Sequence, residues 1–199
     1  MLRIGYVGLL TTLLCFSSLS AQESAAASPF HAGQWAMQFG GGANLFDLGV
    51  LHFTSPTAAW LLDLSTSSVF IDATSTSKIS ATTTRANQQQ LNLAARLGRR
   101  SYHAGRPRVV SFRTVAVESG WSDQLIDVTA GTVRLTQWNA GLNGELGGAY
   151  LLTEDVSVGG TADLSAGYLS YKRTDPGAAE RGHGFYHQYR VLVALGLYF

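Results

Sequence analysis

The stretch RVLVALGLYF, Arg190–Phe199, carries the pattern that decides the fold. Its odd positions, Val191, Val193, Leu195, Leu197 and Phe199, are all apolar. Its even positions include Arg190, Ala194, Gly196 and Tyr198. A period of two puts the first set on one face of a strand. Soluble domains usually fray into polar residues at their ends, whereas this sequence is expected to finish inside its last strand.

The same period recurs from Gln34 onward. QWAMQFG sets Trp35, Met37 and Phe39 against Gln34, Ala36 and Gln38. AWLLDLST sets Trp60, Leu62 and Leu64 against Asp63 and Ser65. QLNLAARLG sets Leu91, Leu93, Ala95 and Leu97 against Gln90, Asn92, Ala94 and Arg96. VVSFRT reads as Val110 and Phe112 opposite Ser111 and Arg113. QWNAGLNGELGGAY and DVSVGGTADLSAGYLSY continue the alternation, with Asn143 and Glu145, then Asp163 and Ser165, on their polar faces. A strand near Leu45–Thr54, of unclear parity, brings the expected count to eight.

Composition agrees with a membrane β-protein. Only 14% of residues are charged, against roughly 25% in soluble domains. A formal charge of +1 gives no basic field for nucleic acid. No stretch after the N-terminus has the 18 apolar residues expected of a spanning helix. Residues 1–21, with Arg3 before an apolar run and small residues at Ser18–Ala21, read as a signal peptide. Cys15, the single cysteine, falls inside it, so the exported chain is expected to hold no disulfide. Residues 22–32 lack periodicity and read as a flexible leader, and 33–199 as the barrel.

The expected connections alternate. Ser55–Thr57, His103–Pro107 and Thr153–Asp155 are short turns, while Ala73–Asn87, Ser119–Gly131 and Arg173–His183 read as long polar loops. Only the connection around Ala43–Asn44 breaks the rule. An even strand count with alternating connections predicts an all-β, eight-stranded, antiparallel up-and-down transmembrane barrel, with short turns and both termini periplasmic. The chain resembles the small OmpA/OmpX-like outer-membrane barrels in architecture. Its last residues resemble the C-terminal signal that the barrel assembly machinery reads, which would comprise Val191, Val193, Leu195, Leu197, Tyr198 and Phe199. The resemblance implies outer-membrane lipids and lipopolysaccharide as surroundings, and a surface or host ligand at the loops. With the chain ending at the barrel, no wall-binding domain is expected.

A secreted lipocalin-like barrel would show the same alternation with its faces inverted. The polar face argues against it, being poor in Lys and rich in Ser, Gly, Asn and Gln. Trp35, Trp60, Tyr150, Tyr168 and Tyr198 recur near the ends of the apolar faces, as aromatic girdles require.

The charges on the polar faces, Asp63, Arg96, Arg113, Glu145, Asp163 and Arg190, fall at one depth. An eight-stranded barrel is just wide enough for side chains to fill it. Charges there must pair, so these six are expected to form a lumenal ion-pair network that plugs the barrel. Catalysis is not expected. His187 and Ser170 form a candidate pair for a lipid A-modifying enzyme, but Tyr189 stands where a His-x-Ser signature needs its serine. The five histidines lack metal spacing, and no cofactor is implied. The basic run GRRSYHAGRPR, residues 98–108, fits either a solvated turn or contact with anionic headgroups. The expected protein is a non-enzymatic, plugged barrel with a structural or surface role. A lipid A enzyme, a small-solute conduit and a secreted binding barrel are the alternatives.

Overall fold

The computed structural model describes residues 28–42, 44–76, 83–128 and 131–199. Eight strands follow one another: β1 (Trp35–Gly42), β2 (Leu45–Ser55), β3 (Ala58–Thr76), β4 (Thr83–Arg106), β5 (Val109–Val128), β6 (Gly131–Leu151), β7 (Val156–Asp175) and β8 (Ala178–Tyr198). Each pairs antiparallel with its sequence neighbours, and β8 pairs with β1 to close the barrel. A row of opposed residues from Trp35 passes His52, Trp60, Arg99, Val115, Gly144, Leu164 and Tyr189. Extrapolated by the Gly41↔Val193 register, it returns to the line of β1 ten residues above its start, beyond that strand's last residue. That stagger is what tilted strands need to close a barrel.

The faces are those of a membrane barrel rather than a lipocalin. Leu62, Leu64, Leu97, Val117, Leu142, Leu146, Leu164 and Val191 point outward, each more than half exposed. Asp63, Arg96, Asn143, Glu145 and Asp163 point inward and are buried. Trp35, Trp60 and Tyr150 ring the exterior near the short-turn end, and Trp121, Trp138 and Tyr168 ring it farther up. Trp138 and Tyr150 lie twelve residues apart on β6. At about 3.4 Å per residue and a tilt of about 40°, the rings stand roughly 30 Å apart, the thickness of a bilayer core. Tyr198 does not belong to them. It faces the lumen and is buried.

The three connections read as long loops are largely strand. β5 runs on to Val128 and β6 starts at Gly131. β3 and β4 stay paired up to Thr76↔Thr83, with 77–82 outside the described residues. β7 and β8 meet at Pro176-Gly177, where Gly177 takes φ +91°. Proline followed by a left-handed glycine makes a tight type II turn. Above the lipid both faces of a strand meet water, so polarity there reports solvent and not the loss of a ladder. β1 and β2 stop early, at 8 and 11 residues against 19 to 24 for the others. Asn44, at φ 60°, tops their hairpin.

The leader is not free over its last residues. Ser28 donates its hydroxyl to the Pro56 carbonyl. Gly33, at φ +85°, bends the chain, and its N–H bonds the Phe53 carbonyl at 2.8 Å. Phe30 is thereby carried under the barrel mouth and buried. The expected signal peptide and residues 22–27 lie outside the described residues.

Candidate functional site in the lumen

The lumen is layered. At the short-turn end, inward-facing Leu51, Phe53, Leu61, Tyr102, Val110, Phe112 and Tyr198 form an apolar cluster around Phe30. The Phe30 ring lies 4.6 Å from Phe53, 4.8 Å from Tyr102 and 5.1 Å from Tyr198. These are separations at which aromatic rings attract edge-on or offset.

Arg100 caps this cluster. Its guanidinium sits 4.1 Å over the Phe112 ring. It donates from Nε to Thr114 Oγ1 at 2.9 Å, from Nη2 to Glu145 Oε1 at 2.7 Å, and from Nη1 to Gln38 Oε1. Gly147 makes room for this arrangement, since a Cβ there would meet Phe112 Cζ at 2.4 Å.

Arg96 forms the next layer. Its Nη2 donates to Asp47 Oδ2 at 2.7 Å, its Nε to Asp63 Oδ1 at 3.1 Å and its Nη1 to Asp163 Oδ2 at 3.3 Å. Arg190 shares Asp163, through Nε at 3.1 Å, and lies 3.5 Å from Glu118. Asn143 donates to Asp163 Oδ1 and Ser165 Oγ, and Ser165 donates on to Glu118. One connected network thus joins every strand from β2 to β8. Planar guanidiniums suit this, because each offers five donors in a fixed fork.

Five of the six charges expected in the lumen, Asp63, Arg96, Glu145, Asp163 and Arg190, lie in these layers. Arg113 does not. It points out of the barrel, opposite Ser101 and Leu146. The cause is β5 parity. Val110 and Phe112 are apolar because they line the aromatic end of the lumen, not because they face lipid. The same inversion hid Glu118, which is inward and buried. Arg100 was legible, since it continues the even-numbered face Gln90, Asn92, Ala94, Arg96. Asp47 was not, because β2 is apolar on both faces at Leu51, Phe53, Leu48 and Val50. Among the described residues the interior therefore holds five carboxyl groups and three guanidiniums.

Beyond the charges the lumen opens into a vestibule of about 380 Å³, lined by groups such as Ser67, Gln90, Asn92, Ser122, Gln137, Asn139 and Gln188. Asn139 Oδ1 and Tyr186 Oη, both lining residues, have no hydrogen-bond partner in the protein. At the outer rim, Arg134 clamps Asp123 with two bonds of 2.9 Å, and Thr136 adds a third. The Arg134 guanidinium holds the Asp123 carboxyl below the usual carboxylate range.

The residues weighed for catalysis are not brought together as a pair. Ser170 stands opposite His183, and His187 stands opposite Ala166. Among the described residues no group of three or more His, Cys, Asp or Glu is placed to hold a metal ion. The aspartates around Arg96 are taken up by its guanidinium.

The sequence matches no protein-family profile and no curated protein. The structure does have relatives. A major outer membrane protein of Thermus thermophilus superposes with a TM-score of 0.56 at 14% identity, over 85% of this chain and 100% of that one. OprG, an outer membrane protein of Pseudomonas aeruginosa, superposes at 0.50 and 14% identity, over 86% and 98%. The chain has the fold of a small outer-membrane β-barrel. Its apolar exterior between two aromatic rings is that of a barrel that crosses a membrane. At this identity the likeness extends to the fold and no further.

Proposed function

We propose that this outer-membrane barrel is a closed, non-conducting and non-enzymatic protein that works through its outer rim. The carrying observation is the stack of two chemically different layers across the lumen. The aromatic cluster with Phe30 is apolar apart from the Tyr102 and Tyr198 hydroxyls and holds no charge, and the Arg96–Arg190 network has every guanidinium engaged by carboxylates. An ion would have to break charge-assisted bonds in a medium of low dielectric and then cross an apolar layer. Above these layers six strands rise past the lipid, giving a raised polar sheet wall around the vestibule. That wall supports a surface-interaction role with a ligand outside the cell, and it takes the place of much of the expected long polar loops.

The test is conductance in planar bilayers of refolded protein, whose folding is confirmed by a gel shift between unheated and boiled samples. The expected outcome is a shifted band with no steady single-channel current. Steady channels from the shifted species would overturn the closed lumen.

A further inference from the structure

Arg113 lies on a lipid-facing wall, where its charge needs a counterpart. A cation on the lipid face of a barrel is costly toward the bilayer centre and tolerable only near an interface. Arg113 is exposed and is flanked by the outward-facing Val115 and Leu146, both exposed as lipid contacts are. It stands directly opposite Ser101, which makes Arg99 and His103 its two diagonal neighbours on β4. Diagonal neighbours across a strand pair lie about 7–8 Å apart, within reach of two arginine side chains. Arg99 is exposed, opposite Trp60 of the short-turn ring, with its Cζ 5.9 Å from that ring's centroid.

The contrast with the interior is informative. Arg96, Arg100 and Arg190 each hold a carboxylate within 3.5 Å. Among the described residues neither Arg99 nor Arg113 forms an ion pair. Arg108, in the turn below, is a different case, because it shares a cleft with Glu154 and Asp155. No carboxylate among the described residues serves Arg99 or Arg113, which leaves both guanidiniums open to an anion at the height of an aromatic ring.

We propose that Arg99 and Arg113, with Ser101 between them and Trp60 beside them, form a binding site for the phosphate of an anionic glycerophospholipid in the periplasmic leaflet. The short-turn end faces the periplasm in barrels of this architecture. Two guanidinium forks converging on one phosphodiester supply the geometry that a phosphate accepts. Trp60 holds Arg99 at the interface through its ring face, and the lipid's acyl chains fall along Val115 and Leu146. A zwitterionic headgroup brings its own cation to the patch and is bound less well.

Native mass spectrometry of the refolded full chain in detergent tests this. The probes are phosphatidylglycerol and phosphatidylethanolamine of identical acyl chains. Wild type is expected to retain phosphatidylglycerol in preference, and R99Q/R113Q to bind it roughly tenfold more weakly or worse. Arg134→Gln, at the opposite rim, is expected to bind as wild type does. Equal retention of the two lipids by wild type overturns the site, a result that needs no variant to fold. Undiminished phosphatidylglycerol binding by a heat-shifting R99Q/R113Q also overturns it. Two further results would reject the lipid assignment: displacement by millimolar glycerol phosphate, which marks a free-phosphate site, and preferential lipopolysaccharide binding lost in R99Q/R113Q, which places the patch in the outer leaflet.

Discussion

Arg99 and Arg100 are adjacent in the chain and live in opposite worlds. Arg100 is 2% exposed and bonds a carboxylate, a threonine and an amide above an aromatic ring. Arg99 lies outside, against Trp60 and lipid. One step along a strand reverses the solvent, the partners and the energetic stakes of the same side chain. Inside, a guanidinium is held by what the fold supplies. Outside, it meets a Trp60 ring and no carboxylate among the described residues.

Removing an inner cation breaks the comparison hardest. Arg96→Ala leaves Asp47, Asp63 and Asp163 facing one another without their shared donor. The barrel is expected to lose about 3–5 kcal/mol, the range for a broken buried pair. Arg113→Ala, the same chemical change on the other face, is expected to stay within about 0.5 kcal/mol in lipid-free detergent. Urea unfolding followed by tryptophan fluorescence measures both. Equal midpoints for the two variants would mean that inner and outer arginines contribute alike to stability.

Phe30→Ala is the next largest. It opens the centre of the aromatic cluster, and a loss of about 3 kcal/mol is expected, at the lower end for a buried phenylalanine because the leader can shift. Hydrogen exchange reads it locally. The Gly33 and Phe53 amides, bonded to Phe53 and Gln34 carbonyls, should exchange faster, while amides around Arg96 keep their protection. Unchanged exchange at Gly33 would mean that Phe30 does not anchor the leader.

The smallest effect belongs to the rim pair. Because the folded Asp123 carboxyl lies below its unfolded value, the pair's contribution is complete above the unfolded value of about 3.9 and is lost as pH falls through the folded one. Arg134→Gln should therefore narrow the stability gap between pH 6 and pH 3 slightly, and salt should shrink the difference further. A gap that widens in the variant would reverse the sign.

The fold was legible because lipid enforces alternation. Wherever one face met acyl chains and the other met charge, as in Leu91–Leu97 or Val191–Leu197, parity could be read directly. Legibility failed at the two ends of the barrel for opposite reasons. At the short-turn end the lumen is itself apolar, so Val110, Phe112, Leu51 and Phe53 mimic lipid-facing residues, and the alternation puts Arg113 inside where Glu118 belongs. At the far end both faces meet water, so Ser119–Gly131 and Arg173–His183 look like loops while their backbones stay paired. Pro176-Gly177 was a local sign of a tight turn there. Phe30 had no periodic partner to announce it.

The brevity of β1 has a bearing on how the barrel is made. It meets β8 over only six opposed residues, Ala36–Gly41, whereas β3 and β4 share nineteen. Hairpins between sequence neighbours close short stretches of chain, but this join spans almost the whole molecule, so its closure carries the greatest entropic cost and has the fewest hydrogen bonds to offset it. The seam between the first and last strands is thus expected to be the last stave fitted during assembly. It is also the line along which local opening of the finished wall costs least.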